Sequence, residues 1–145
     1  MKAVIQRVGS TSLSVGGKLV SEIPFGLAVY LGVKSEDSDA TPAAMAKKIA
    51  ALRIFEDENG KMNLSVRDVG GEVLLISQFT LYGDCSHGNR PSFTLAEKPE
   101  RANELYEMTA KELSSCGVPV KTGVFGADMK IEQFNDGPVT IIYEI

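Results

Sequence analysis

At 145 residues with 43% apolar and 23% charged content, the chain suits one globular domain, residues 1–145, that buries about two-thirds of its unfolded surface. A net charge of −4 and a pI near 5.0 argue against a broad face laid along duplex nucleic acid, because such affinity comes mostly from neutralised phosphates; gripping one end of a strand is not excluded. The longest apolar run, residues 27–33, is far shorter than the ~20 residues of a membrane helix, no basic-then-apolar leader opens the chain, and Cys85 and Cys116 lack a C-x-x-C spacing, so a cytoplasmic protein with reduced thiols and no membrane contact is expected.

Residues 1–8, 12–15, 18–23 and 27–33 read as strands, with Gly16-Gly17 as a hairpin signal. Thr41 is the expected N-cap of a helix with Pro42 at its first position and Met45, Ile49 and Leu52 on one face. Asp57-Glu58-Asn59-Gly60 marks a turn. Residues 73–81 read as a central strand whose end, Ser77-Gln78-Phe79-Thr80-Leu81, turns polar before a Gly-rich loop reaching Phe93. Pro99 starts a second helix with Ala102, Leu105, Tyr106, Thr109, Leu113 and Cys116 sharing a face and Gly117 as its stop. Strands at 118–122, 130–134 and 139–145 complete the chain, with no repeat or linker. The predicted fold is a single α+β domain, mainly antiparallel and barrel-like in its sheet, with two principal helices packed on it.

Two segments stand out chemically. Hydroxyls and an amide at the end of a buried strand, Ser77 to Thr80, are held rigidly enough to meet a ligand at its mouth, or are a strand turning polar as it surfaces. Gly137-Pro138 precedes the last apolar run; proline has no N–H for a ladder, and X-Pro is the one bond type for which cis is cheap, at roughly 0.5–1 kcal/mol. The pair is either an ordinary turn feeding an edge strand or a rigid acceptor pair of carbonyls. His87 is the only histidine and sits in the polar loop without an evident partner, which disfavours a Ser-His-Asp or Cys-His mechanism. Asp84, Cys85 and His87 lie close in sequence, yet structural zinc wants four ligands and no further Cys/His pair exists, so no metal is expected. Met129 reads as core filling or as pocket lining.

Met1-Lys2-Ala3-Val4-Ile5-Gln6-Arg7-Val8, Leu52-Arg53-Ile54-Phe55-Glu56-Asp57, Lys61-Met62-Asn63-Leu64-Ser65-Val66, residues 77–81, Arg90-Pro91-Ser92-Phe93, Thr122-Gly123, Phe125-Gly126-Ala127-Asp128-Met129 and residues 135–140 occur in order nearly from end to end. Together they resemble the D-aminoacyl-tRNA deacylase family. Ser10 and Asn89 depart from it, standing where relatives often carry a basic residue.

The resemblance implies an aminoacyl-tRNA editing hydrolase that cleaves the ester of D-aminoacyl-tRNA to free amino acid and tRNA, with water as co-substrate and no cofactor. It places Ser77, Gln78, Phe79, Met129 and Asn135 on the substrate. Thr80, Gln78 and Phe79 become the catalytic segment: Ser77, Gln78 and Phe79 hold the terminal adenosine and present backbone N–H groups near the scissile carbonyl, and Thr80 is a nucleophile or a positioning hydroxyl. Positioning is favoured, because no base beside Thr80 is evident; a plain β-branched strand residue is the other reading. The resemblance further implies that Gly137-Pro138 is cis and enters the pocket of the other subunit of a homodimer, rejecting L-aminoacyl groups, while the ribose 2′-hydroxyl assists catalysis. A filter that acts by clash cannot exclude glycine, which carries hydrogen on both sides of its α-carbon, so glycyl-tRNA is an expected substrate. Lys2, Arg7 and Arg90 are the local cations expected near the tRNA acceptor end. The alternative is a non-catalytic module binding a small metabolite or an RNA end; a thiol or serine hydrolase built on Cys85 or Ser77 ranks third.

Overall fold

Strand β1 (Lys2–Val15) is the spine of the computed structural model, which describes residues 1–145. Its alternation buries Ala3 and Ile5, slips at Arg7 and Val8, which are buried in succession, and resumes with Thr11 and Leu13. The slip lets one strand serve two cores, as a period-two pattern must when a bulge re-aims it. After the Gly16-Gly17 turn, β2 (Lys18–Ile23) pairs with the second half of β1, and β3 (Gly26–Gly32) pairs with the first half, both antiparallel.

Helix α1 (Thr41–Ala51) buries Met45, Ala46, Ile49 and Ala50. A short hairpin, β4 (Phe55–Glu56) and β5 (Met62–Leu64), then brackets the 57–60 turn. Strand β6 (Glu72–Ser77) runs parallel to β3, and β7 (Val120–Thr122) runs parallel to β6 after α2 (Pro99–Ser115). Finally β8 (Met129–Glu144) returns antiparallel along nearly the whole of β1.

Why β3 and β6 are almost continuously apolar is now plain. Leu27, Val29, Leu31, Val73 and Leu75 join the helix residues Met45, Ile49, Leu105 and Leu113 in one core, whereas Ala28, Leu74 and Ile76 meet Val8, Leu13 and Ile23 in a second. The sheet curls so that its far end covers the face opposite the helices, which buries the parallel strands on both sides. The result is the α+β, barrel-like sheet with two helices that the sequence predicts.

Several boundaries differ from expectation. Residues 1–8 and 12–15 are one strand, because the ladder shifts register around Val8 instead of ending. Residues 130–134 and 139–145 are likewise one strand: two steps along β1, Gln6 to Val8, face five along β8, Asn135 to Thr140, so residues between them bulge while the ladder resumes beyond. Thr41 is not the cap of α1 but its first residue, with Ala40 at the cap position and no side-chain cap bond; the Thr41 hydroxyl instead accepts the Ser38 N–H at 3.1 Å. The strand expected to reach Leu81 stops at Ser77, and Phe79–Tyr82 forms a 3-10 turn. The last strand before Thr122 begins at Val120, since Pro119 can only accept, which it does from Val73 at 2.9 Å.

Candidate active site

The carboxyl ends of parallel strands β3 and β6 open into a cavity of about 560 Å³, closed by the start of α2 and by the 125–129 turn. Such strand ends leave carbonyls and turning side chains without a neighbouring ladder, which is where ligands collect in α/β arrangements. Ser77, Gln78, Phe79 and Met129 all line it, together with Tyr106 and Phe125, and twelve of its eighteen lining residues are hydrophobic. Four of the residues expected to meet substrate are thereby brought together. Met129 packs against the smaller core while lining the cavity.

The floor is stiff. Tyr106 donates its hydroxyl to the Leu75 carbonyl at 2.7 Å, and the Gly123 N–H reaches the same oxygen at 3.1 Å. Burial pushes the Tyr106 phenol up to about 12, so it remains a neutral donor at physiological pH. Its ring leans on Phe125 with centroids 5.9 Å apart.

At the rim, Gln78 ends the ladder by donating its N–H to the Leu31 carbonyl at 2.8 Å, so that amide, expected to face the substrate, is spent within the sheet, and the 3-10 turn begins. Phe79 and Thr80 open that turn, the positions whose N–H groups have no acceptor within it, so they are suited to a carbonyl or oxyanion. The Gln78 side-chain amide donates to the exposed Thr80 hydroxyl, which keeps its own proton free to donate onward. No carboxylate, imidazole or amine hydrogen-bonds Thr80.

Asn135, Gly137 and Pro138 lie elsewhere in the chain's own frame. All three are exposed and line neither this cavity nor the second one. The Gly137–Pro138 peptide bond is cis. The bulge carrying it is held from beneath by Arg7, which is 6% exposed: Nε donates to the Asp136 carbonyl at 3.3 Å and pairs with its carboxylate at 3.0 Å, and Nη1 donates to the buried Ile54 carbonyl at 2.9 Å. Gly137 needs to be glycine, because its φ is +122° and a Cβ would stand 2.9 Å from Val139 Cγ2 and 3.2 Å from Arg7 Nη2. Asn135 accepts from Gln133, whose amide also donates to Gln6 at 2.8 Å and whose oxygen accepts from Tyr30 at 3.1 Å.

Arg7, expected among the cations near RNA, is thus committed to the protein's own backbone, a role its place in the opening strand did not reveal. Lys2 pairs with Glu144 and lies over the Tyr82 ring, while Arg90 is exposed and makes no ion pair. Gln6, Gln133 and Phe93 were also missed as structural partners; the Gln133-Phe134-Asn135 alternation on β8 was the one available signal, and it bears on Gln133 alone. Cys85 and His87 are exposed, and Asp84 spends its carboxylate on the Ser86 N–H at 2.8 Å, a bond that holds it below the usual carboxylate range.

A larger groove of about 750 Å³ runs past Thr11, Glu22, Glu72, Lys121 and Glu132 at the opposite end of β1. Its walls are mixed charges, Lys121 standing 3.4 Å from Glu72, and only two of its eleven lining residues are hydrophobic. Ligand sites are mostly apolar with a few placed polar groups, so the smaller cavity is the better candidate despite its volume.

The sequence pattern of the family described as D-Tyr-tRNA(Tyr) deacylase matches residues 4–144. A protein named D-aminoacyl-tRNA deacylase from Rhodopirellula baltica is 54% identical over 145 residues, covering 100% of both chains. One of the same name from Bacillus cytotoxicus is 53% identical over 144 residues, covering 99% of each. Among solved structures, a c-Myc DNA unwinding element binding protein superposes with a TM-score of 0.93 at 43% identity, covering 100% of this chain and 99% of its own. A probable eukaryotic D-amino acid tRNA deacylase superposes with a TM-score of 0.86 at 18% identity, covering 99% and 98%, and speaks for the fold alone.

Proposed function

The chain belongs to the D-Tyr-tRNA(Tyr) deacylase family, and from that premise we propose that it hydrolyses the ester of D-aminoacyl-tRNA in the cytoplasm, leaving the L-aminoacyl ester intact. The observation that carries this reading is the cavity at the ends of β3 and β6, where Ser77, Gln78 and Phe79 of the matched segment meet apolar walls fit for a terminal adenosine. The reaction needs water to attack the ester carbonyl, the bond from carbonyl carbon to ribose oxygen to break, and a proton to reach that oxygen. An aminoacyl ester is already activated, so the protein's share is proximity, orientation and stabilisation of the oxyanion by amides at the 3-10 turn. The neighbouring ribose 2′-hydroxyl orients the water, which fits the lack of any base bonded to Thr80. Thr80 then positions, using the hydroxyl proton that the Gln78 amide leaves free.

Chirality is read by exclusion. The exposed Gly137–Pro138 bulge offers main-chain oxygens, and an L side chain driven into fixed oxygens is rejected more strongly than an added attraction could select a D one. Within one chain the bulge stands apart from the cavity, so the filter belongs to a two-fold, isologous homodimer in which each subunit's bulge enters the other's cavity. The same strand carries Phe134 and Ile142, which are 71% and 69% exposed, as a dimer face would require. Glycyl-tRNA passes the filter.

Three substrates test the reading. D-Tyr-tRNA ending in ordinary adenosine is cleared, glycyl-tRNA is cleared, and D-Tyr-tRNA ending in 2′-deoxyadenosine is slowed by roughly a hundredfold or more. Rapid clearance of the 2′-deoxy substrate would move the chemistry back to a protein side chain. Resistance of glycyl-tRNA would refute a purely steric filter.

A further inference from the structure

Phe93 lines the same cavity and has no part in the mechanism just described, yet its ring is set against the catalytic turn. Its ring meets Phe79 edge-on, with centroids 5.0 Å apart and planes at 67°. It also covers Gly83, the residue that ends the 3-10 turn, so closely that a Cβ there would stand 3.0 Å from Phe93 Cε1 and 3.0 Å from the Thr80 carbonyl oxygen. Phe93 therefore touches the turn at both ends, with Thr80 between.

The segment that carries the ring is tied down on both sides. Before it, Ser92 and Asp84 exchange both backbone hydrogen bonds, at 2.8 and 2.9 Å, closing the 84–92 loop. After it, the Ala96 N–H returns to the Phe93 carbonyl at 3.1 Å, and Leu95 and Glu97 bond to Ser35 and Val33 beyond the end of β3. These bonds leave the ring little freedom to follow Phe79 if the turn shifts. Phe79 itself is 57% exposed, and the Phe93 ring is its one aromatic partner.

Resting on the deacylase reading, we propose that Phe93 is a positioning residue: through Phe79 and Gly83 it fixes the Phe79 and Thr80 amides where the ester carbonyl must meet them. A displacement of about an ångström at such a site can cost on the order of a hundredfold in rate, without comparable loss of ground-state binding.

The test is steady-state deacylation of D-Tyr-tRNA by the full-length protein and its Phe93→Ala and Phe93→Tyr variants, with urea unfolding of each. Phe93→Ala lowers kcat by about tenfold or more while KM moves by less than about threefold, and Phe93→Tyr, which keeps the ring, stays within about threefold of the parent in both. A raised KM at unchanged kcat would make Phe93 a substrate contact and overturn the proposal, as would an unchanged kcat in a folded Phe93→Ala protein or an equal loss in Phe93→Tyr. Should Phe93→Ala fail to fold, Gly83→Ala carries the test: its φ of −71° suits alanine, so only the new methyl against the ring and the Thr80 carbonyl can act. Its kcat falls with KM held; an unchanged kcat contradicts the role. A parent protein inert toward D-Tyr-tRNA would refute the deacylase reading itself, a failure seen before any variant is compared.

Discussion

Arg7 shows how much one buried side chain can hold. Its partner Asp136 is 51% exposed and regains water if the pair is broken, so little of the guanidinium's worth lies in the ion pair. What cannot be recovered is the hydrogen bond to the Ile54 carbonyl, which sits under a 5% exposed residue. Arg7→Ala is expected to cost about 2 kcal/mol in urea unfolding, the usual range for an abandoned buried acceptor, and to weaken discrimination against L-Tyr-tRNA by freeing the bulge. Arg7→Lys recovers only part, because a single ammonium lacks the span of the guanidinium, whose Nε and Nη1 reach oxygens on two segments. Thr80 supports the opposite kind of prediction. Removing a true nucleophile costs on the order of a millionfold in kcat, whereas Thr80→Val, measured on D-Tyr-tRNA, is expected to cost about tenfold.

At the scale of elements, bulges decide the outcome. Gly137 occupies a backbone conformation that alanine resists, so Gly137→Ala is expected to destabilise the protein by more than ~1 kcal/mol in chemical unfolding and to blunt the D over L preference. The same bulge explains what could be read from sequence and what could not. The apolar runs at 27–33 and 73–76 announced strands, though not that both faces of each are buried, and the 3.6-residue period from Ala102 to Leu113 announced α2 with its Gly117 stop, whose φ is +81°. Those are local signals. That β1 and β8 each continue through an interruption is not local, because the ladder resumes only where a distant partner strand still offers acceptors. The 3-10 turn escaped for a related reason: Phe79, Thr80 and Leu81 have the composition of a strand, and it is the end of pairing to Leu31 that curls them. Of the candidate site, Ser77, Gln78, Phe79 and Met129 were legible from motif resemblance, while the bracing by Arg7, Gln133 and Phe93 depends on contacts between residues far apart in the chain.

For the whole molecule, the buried tyrosines set an alkaline limit. Tyr106 titrates near 10 in an unfolded chain and at about 12 when folded, because burial penalises its phenolate. The folded state therefore keeps a proton that the unfolded state loses: stability is full below pH 10 and falls as pH rises toward 12, by up to ~1.4 kcal/mol per unit for this group. Tyr82, raised in the same direction by burial, adds to the fall. Urea midpoints between pH 8 and about 11 should drop steeply at the alkaline end, and Tyr106→Phe should flatten the drop at a cost near ~1 kcal/mol at neutral pH, since Leu75 keeps its bond from Gly123.

A net charge of −4 disfavours a broad face along duplex RNA, and the proposed function rests its selectivity on the handedness of the ester. The most direct test is therefore the ratio of first-order deacylation rates for D-Tyr-tRNA and L-Tyr-tRNA at one protein concentration. A D rate well above the buffer control with an L rate indistinguishable from it is the predicted result; equal acceleration of both, or of neither, would contradict the account.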